Sequence, residues 1–286
     1  MTGKMTCERG VGRLLAISFL SIAGIVGALM LFGRPVRQFV RDAFLRHVTS
    51  AHYEILWRPG LASAEAMSQF AQRRESLFAA LDRKLGDAGS NATIRIIFDP
   101  GGAAQRASES SETPYSVSKT TIRTRLSGQT PELFPAADAE ALLYTAWGKP
   151  GSPQIARWVA VSLVGGWRGA EIGMAAAQVE QKLGHKRIAT LLAGPPGEFS
   201  SPDDRDLLGG AWISEIAEFG GPDAVRKLYA AKMPRPSVGE VTRVLGTTPS
   251  ELDRKWQLWM YAYLAGMPSS SGGSSMPTDM PMPGGR

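Results

Sequence analysis

Cysteine and histidine are the residue types that most limit the chemistry of this 286-residue chain. Its single cysteine, Cys7, excludes an intrachain disulfide and a zinc site built from several cysteines. The three histidines are His47, His52 and His185. His47 and His52 are five residues apart, not the four that place two imidazoles on one helix face, and His185 is distant in sequence. We therefore expect neither a metal site nor another cofactor.

The chain also lacks the basic face that binds nucleic acid, although its net charge is +6. Residues 1–46 carry seven Lys or Arg and two acidic residues, whereas the other 240 residues carry 25 basic and 24 acidic ones. Binding to phosphates needs lysines and arginines clustered on one surface. The nearly neutral remainder predicts no nucleic-acid partner, and the excess of positive charge belongs to the N-terminus.

Residues 14–33 (LLAISFLSIAGIVGALMLFG) form a run without any charged side chain. As a helix the run would span about 30 Å, which is the thickness of the hydrocarbon core of a bilayer. Three basic residues precede it and four follow it, so the charge count does not set its orientation. A cleaved signal peptide and a buried core helix are alternatives, but the length of the run favours an uncleaved anchor. We predict a short arm over residues 1–13 and a transmembrane helix over residues 14–33 that binds the lipid bilayer.

The remainder of the chain predicts an α+β fold in which a small β-rich layer precedes a mainly helical half. Apolar spacing predicts a juxtamembrane helix in the segment 34–49, and residues 50–130 predict a β-α-β unit with an added hairpin. Residues 131–266 predict the helical half, and the Ser/Gly/Pro/Met-rich residues 267–286 predict a disordered tail. The predicted strands cover residues 52–57, 93–98, 115–117 and 120–126. The predicted helices cover residues 62–86, 136–147, 153–167, 171–184, 186–193, 204–219, 222–232, 237–245 and 249–264.

Several residues that could suggest chemistry have a simpler structural interpretation. The glycine pairs at 165–166 and 209–210 do not follow a strand or precede Lys-Ser/Thr, so they favour turns or close helix packing over a phosphate loop. His52 favours a hydrogen-bonded structural role on a strand. His185 follows a predicted helix end, where an imidazole suits the helix dipole.

Three stretches of the chain resemble the peptidase MA-like family of gluzincin-type zinc metallopeptidases. Residues 50–56 (SAHYEIL) are similar to its opening S-x-H-[FY] strand. Residues 139–143 (AEALL) and 158–163 (WVAVSL) are similar to the two helices that carry its metal ligands. Residues 211–228 resemble its buried helix, glycine turn and x-x-[KR]-L helix, and residues 246–256 (GTTPSELDRKW) resemble its closing segment. The resemblance covers roughly residues 50–264 and implies a gluzincin-like helical half.

The chain departs from this family at the metal site. Active members place H-E-x-x-H on one helix and a glutamate on the next, so that two histidines and the second glutamate bind Zn²⁺. By the resemblance, the three ligand positions here are Ala139, Leu143 and Val161, and only Glu140 keeps its residue type. Aliphatic side chains do not bind zinc. The resemblance therefore implies a degenerate member in which Glu140 is a vestigial catalytic residue, and we expect Glu140 to be partly exposed or paired with an arginine.

The apolar run predicts a membrane-anchored protein, and the resemblance implies that the membrane is a bacterial cytoplasmic one, with the soluble domain periplasmic or extracellular. We expect a catalytically inactive peptidase-MA-like domain that binds a peptide or an envelope-protein partner at the cell envelope. The alternative is an active hydrolase whose non-standard site pairs Glu140 with Asp138 or Glu132. A third hypothesis, a purely structural membrane stalk, predicts no groove beside the 136–147 helix.

Overall fold

The computed structural model describes residues 45–98, 115–124, 135–194 and 196–266. The predicted arm, transmembrane helix and tail, and all but the last five residues of the juxtamembrane segment, lie outside these ranges. Among the described helices, none combines the length and the apolar character needed to cross a membrane.

A five-stranded mixed sheet forms the first layer of an α+β fold. Its strand order is β1-β2-β3-β5-β4, with β2, β3 and β5 parallel and the edge strands β1 and β4 antiparallel to their neighbours. The central strands β2 and β3 are mostly buried, whereas the edge strands carry exposed polar residues. The strands are β1 (Arg46–Thr49), β2 (Tyr53–Trp57), β3 (Ile94–Phe98), β4 (Tyr115–Ser118) and β5 (Thr121–Thr124).

Helix α1 (Ala64–Lys84) connects β2 to the parallel strand β3. Its N-cap residue Ser63 accepts a hydrogen bond from the amide of Ala66. Apolar residues recur at three- and four-residue spacing along it, and the residues that this face buries include Met67, Phe70, Phe78 and Leu81. The predicted 62–86 helix and the predicted β-α-β unit with an added hairpin are thereby confirmed.

The end of the predicted juxtamembrane helix is wrong, because residues Arg46–Thr49 form strand β1. This strand pairs antiparallel with β2, Thr49 opposite Glu54 and Arg46 opposite Trp57. Pairing along the whole of β2 decides the local conformation here, since four mostly polar residues have little periodicity of their own. The hairpin of β1 and β2 was not predicted.

The second half of the fold is helical, as predicted. Its longest helix, Pro202–Ala230 (α6), is interrupted at Gly221, whose φ of 75° and ψ of 171° are not helical, and Pro222 follows. The helices predicted at 204–219 and 222–232 are the two parts of this helix. The helices are α2 (Pro135–Trp147), α3 (Pro153–Val164), α4 (Ile172–Leu183), α5 (Ile188–Ala193), α6 (Pro202–Ala230), α7 (Val238–Leu245) and α8 (Pro249–Gly266).

Helix α3 ends three residues before the predicted limit of 167. Gly165 adopts the left-handed conformation, with φ of 74°, and its amide donates to the carbonyl of Val161. The next residues form a two-strand hairpin of Gly166–Trp167 (β6) and Ala170–Glu171 (β7). The glycine pair at 165–166 thus makes a helix end and a turn.

The glycine pair at 209–210 allows α3 and α6 to approach closely. A Cβ atom on Gly209 would lie 2.2 Å from the ring of Trp158, and one on Gly210 would lie 2.4 Å from Val161 Cγ1. The ring of Trp158 is fully buried and meets Trp212 edge to face, with centroids 6.0 Å apart. The predicted role of this pair in close helix packing is confirmed, and the buried apolar side chains of the sheet and the helices form one continuous core.

Candidate functional site

The three positions that the resemblance assigns to zinc ligands lie in the apolar core. Ala139 and Leu143 on α2 are fully buried, and Val161 on α3 is 1% exposed. Val161 fills the space left by Gly210. These side chains offer no donor atom, so the site does not fit a zinc ion. Within the described ranges, no group of three or more His, Cys, Asp or Glu residues could hold a metal ion.

Glu140 is next to these positions in sequence, but its carboxylate contacts polar side chains and not the apolar core. Its Oε1 accepts a hydrogen bond from Arg157 Nη1 at 2.9 Å and a longer one from the Tyr115 hydroxyl at 3.4 Å. Arg157 also donates from Nε to Asp206 Oδ2 at 3.0 Å. The guanidinium of Arg157 therefore bridges a carboxylate on α2 and one on α6. The expected pairing of Glu140 with an arginine is confirmed.

Local structure fixes the position of Arg157 between the two carboxylates. Helix α3 begins at a buried N-cap, Ser152, whose hydroxyl accepts from the amide of Ile155, and Pro153 follows in the first turn. Arg157 lies one turn further on, and its Cζ is 4.2 Å from the centroid of the Tyr115 ring on β4. The bridge therefore joins three helices to the edge of the sheet.

Burial makes the two carboxylates of this network unusual acids. Burial raises the pKa of Glu140 to about 8, and the negative charge of Asp206 adds to the rise. The contact with Arg157 favours the charged form of Glu140 and opposes this shift. Burial also raises the pKa of Asp206, against the opposing effect of Arg157. Carboxyl groups with raised pKa values in a cleft are typical of binding and catalytic sites.

The network lines a cavity of about 410 Å³ between the sheet edge and the helices. This volume is within the usual range for ligand pockets. Strand β4 contributes Tyr115, Ser116 and Val117 to its wall, and the helices contribute the rest. The helical lining residues are Glu140, Pro153, Gln154, Arg157, Trp158, Arg205 and Asp206. A cavity thus lies beside α2, where the stalk hypothesis predicts none.

Strand β4 presents a backbone edge to this cavity. A two-residue loop joins Ser118 of β4 to its partner Thr121 of β5, and in such a hairpin these two residues form a hydrogen-bonded pair. Hydrogen-bonded and non-hydrogen-bonded pairs alternate along an antiparallel ladder. The N–H and C=O of the next residue, Val117, therefore point away from β5. No strand of the described part of the chain pairs with β4 on that side. The edge is therefore positioned to pair with an added strand.

Asp138, one of the two predicted partners of Glu140, does not reach this cavity. It is fully buried beneath the sheet, where it forms an ion pair with Arg74 and accepts a hydrogen bond from the Tyr53 hydroxyl at 2.9 Å. Burial raises the pKa of Asp138, and the Arg74 and Tyr53 contacts oppose that rise. The predicted pairing of Glu140 with Asp138 is wrong. The other predicted partner, Glu132, lies outside the described residues.

The two histidines with a predicted structural role make local contacts. His52 Nδ1 lies 2.7 Å from Glu75 Oε2, and its ring stacks on Phe78 with centroids 3.9 Å apart. His185 follows Gly184, the C-cap of α4, and its Nδ1 lies 3.0 Å from Glu180 Oε2. Both histidines thus have carboxylate partners, and the structural role predicted for His52 is confirmed.

The sequence analysis missed Arg157 and Asp206, which form an ion-pair network with Glu140 in the wall of the cavity. Arg157 is the only charged residue of α3, and a lone arginine on an otherwise apolar helix is rarely buried without a carboxylate partner. Asp206 is the last acid before the buried run that starts at Leu207. These signals could have identified Arg157 and Asp206 as buried charged residues, but they could not have predicted that the two side chains are in contact.

Comparison with known proteins adds no relative from which a function could be transferred. No protein-family model matches the chain, and no curated protein or solved structure is significantly similar to it. Its function must therefore be argued from the geometry of the cavity.

Proposed function

We propose that this protein is a membrane-anchored, catalytically inactive peptidase-MA-like domain that binds an extended peptide segment at the bacterial cell envelope. In this proposal, residues 14–33 hold the chain in the cytoplasmic membrane and the described domain lies on its outer face. The occupant of the cavity is an extended stretch of another envelope protein or a free peptide.

The observation that carries the proposal is the cavity beside the outward edge of β4. A peptide that pairs with Val117 gains main-chain hydrogen bonds, and its alternate side chains can enter the cavity. Addition of a strand to a sheet edge is a common mode of peptide recognition because it needs no particular peptide sequence. The fold-level resemblance to peptidases is an analogy that favours the same location.

Two proline variants at opposite edges of the sheet test this proposal. Proline removes the backbone N–H, which an edge strand can lose without losing its own ladder. Val117→Pro changes the outward position of β4. Thr49→Pro is the matched control, because it is the corresponding position of β1 next to a two-residue loop.

The measurement is fluorescence anisotropy of a labelled seven-residue peptide library titrated with the full-length chain in detergent micelles. We expect Val117→Pro to weaken binding about tenfold, the equivalent of one lost hydrogen bond of about 1.4 kcal/mol, and Thr49→Pro to change it little. Thermal unfolding of both variants checks that the sheet is intact. Equal effects of the two substitutions, or no binding by the wild-type chain, would refute the proposal.

A second candidate function is a hydrolase that uses Glu140 and Asp206, and the raised pKa values of both carboxyl groups favour it. A neutral Glu140 could donate a proton while Asp206 accepts one from water, as paired carboxylates of unequal acidity do. This candidate predicts cleavage of the library peptides, with loss of cleavage in Glu140→Gln. Binding without any cleavage would exclude it.

A further inference from the structure

The charged side chains in the wall of the cavity compensate one another. The wall holds two carboxylates and two arginines, so the formal charges cancel when all four groups are ionised: Glu140, Asp206, Arg157 and Arg205. Arg157 forms an ion pair with each carboxylate, at 2.9 Å to Glu140 and 3.0 Å to Asp206. Trp158 is a further hydrogen-bond partner of Asp206. The network therefore leaves neither carboxylate as an excess negative charge.

Protonation of Glu140 does not leave Arg157 without a partner, because Arg157 keeps its bond to Asp206. The remaining positive charge is then that of Arg205. Its Nε and Nη2 donate to two carbonyls of α5, at 2.9 and 2.8 Å. In either protonation state of Glu140, a charged side chain that enters the cavity would have to compete with partners that the charged groups of the wall already have.

Aliphatic and aromatic groups form much of the remaining wall. Val117 and Pro153 contribute aliphatic carbon atoms, and Tyr115 and Trp158 contribute rings. An apolar side chain that packs against these groups is removed from water, which is favourable in proportion to the apolar area buried. A charged side chain in the same place loses its hydration, and the described part of the wall offers it no unpaired opposite charge.

We infer that the cavity selects an extended peptide with a long apolar side chain, such as that of methionine or leucine, at the position that enters it. This inference deepens the proposed function and rests on it, because β4 pairs with the peptide backbone while the cavity receives a side chain. Successive side chains of a strand point to opposite faces, so every second residue of the peptide can face the cavity.

Three peptide libraries test this inference on the full-length chain in detergent micelles. Each is seven residues long, capped at both ends and labelled, with Ala, Ser and Thr mixed at the outer positions. The central residue is norleucine in the first library, lysine in the second and glutamate in the third. Norleucine has the unbranched chain of methionine and matches the carbon chain of lysine without its charge.

We expect the norleucine library to bind about tenfold more tightly than either of the other two, because burial of its side chain is favourable and burial of an uncompensated charge is not. Fluorescence anisotropy measures the three affinities. The order of the libraries distinguishes the cavity from non-specific attraction by the net charge of +6, which would favour the glutamate library.

A substitution in the wall tests whether the central side chain enters the cavity. Gln154 lines the cavity, and its Nε2 lies 3.4 Å from each of two carbonyls of α5. Gln154→Lys keeps a donor for these carbonyls and adds a positive charge in excess of the two carboxylates. We expect it to strengthen binding of the glutamate library about fivefold and to leave the lysine library without a gain.

Gln72→Lys is the matched control for the added charge, because Gln72 is exposed on α1. It should leave the order of the three libraries unchanged. Thermal unfolding of both variants checks that the domain is folded. Equal effects of Gln154→Lys and Gln72→Lys on the glutamate library would show that the central side chain does not enter the cavity, and would overturn the inference.

The outcomes separate this inference from the proposed function. Equal binding of all three libraries to the wild-type chain would leave peptide binding in place and overturn the selection of an apolar side chain. Tightest binding of the lysine or the glutamate library would overturn it too. No binding by any library would refute the proposed function and the inference with it.

Discussion

Glu140 holds its carboxyl group where its neutral form is favoured in the folded protein. The folded pKa of about 8 lies above the ordinary value of 4.5, so the folded state binds more protons than the unfolded state between these two values. The free energy of unfolding therefore falls as the pH rises through this window and becomes constant above it. Stability from this group is complete below the unfolded pKa and is lost as the pH passes the folded one.

Replacement of Glu140 by glutamine removes this titration. The free energy of unfolding of the wild type falls between pH 5 and pH 8, whereas that of Glu140→Gln lacks this fall. We therefore expect the variant to become at least about 1 kcal/mol more stable relative to the wild type over this range, because each unit of pKa difference corresponds to about 1.4 kcal/mol. Urea unfolding at several pH values measures this difference. The control is Glu65→Gln, at an exposed position of α1, and it should follow the wild-type curve. Parallel curves for Glu140→Gln and the wild type would show that Glu140 titrates normally.

Asp138 and Arg74 form a buried ion pair whose two members depend on each other. Arg74 is 2% exposed and Asp138 is fully buried, and Arg74 Nε and Nη1 have no other partner among the described residues. Removal of one member leaves a buried charge alone, so we expect Asp138→Ala to lower the free energy of unfolding by about 3–5 kcal/mol.

A double variant separates the ion pair from the packing of its side chains. Arg74→Met with Asp138→Leu replaces both charges by apolar groups of similar size, and we expect it to recover most of the loss. Chemical denaturation of the three proteins measures the difference. A double variant as unstable as Asp138→Ala would indicate that the pair itself contributes net stability.

At the scale of elements, the approach of α3 to α6 is set by glycine. Ala at 209 would place a methyl group 2.2 Å from the Trp158 ring, which the packed helices cannot accommodate without moving apart. We expect Gly209→Ala to destabilise the protein by about 1–3 kcal/mol.

Gly239→Ala is the matched control for this substitution. Gly239 is an exposed glycine of α7, and a Cβ atom there would meet nothing within 4 Å. Gly239→Ala should stabilise the protein by up to about 1 kcal/mol, because alanine has a higher helix propensity than glycine. Thermal unfolding compares the two variants, and a neutral Gly209→Ala would contradict the close packing.

Most elements could be predicted from the sequence because their local signals and their tertiary environment agree. The α1 helix has apolar spacing, a serine cap and a glycine end, and the break in α6 follows from Gly221 and Pro222. Strand β1 could not be predicted, because its conformation depends on pairing with β2. The hairpin after Gly165 is too short for any periodic signal.

The candidate site could be predicted only in part, for a reason of the same kind. Glu140 was singled out by a resemblance, but Arg157, Asp206 and Tyr115 come from three other elements. Only the tertiary fold brings these side chains together, and no spacing along the chain records that. The same holds for Asp138. It lies two residues before Glu140 in the sequence, but its side chain contacts Arg74 and Tyr53 and not the cavity.

For the molecule as a whole, we propose a membrane anchor joined to a domain in which the β4 edge of the sheet faces a cavity. The apolar core occupies the positions at which the resemblance expects zinc ligands, while the neighbouring cavity keeps its charged lining. The proposed function therefore rests on the cavity and the β4 edge, not on a metal site. We therefore expect peptides to pair with β4 and to leave the protein uncleaved.

Amide hydrogen exchange followed by mass spectrometry tests this claim most directly, because it detects protection of the strand and the mass of the peptide together. The full-length chain in detergent micelles is labelled with deuterium in the presence and in the absence of the seven-residue peptide library. We predict slower exchange in the fragment that contains Tyr115–Ser118, unchanged exchange in the fragment that contains Arg46–Thr49, and recovery of intact peptides. Unchanged exchange in β4 would show that peptides do not pair with this strand, and cleavage of the peptides would show that the protein is a peptidase.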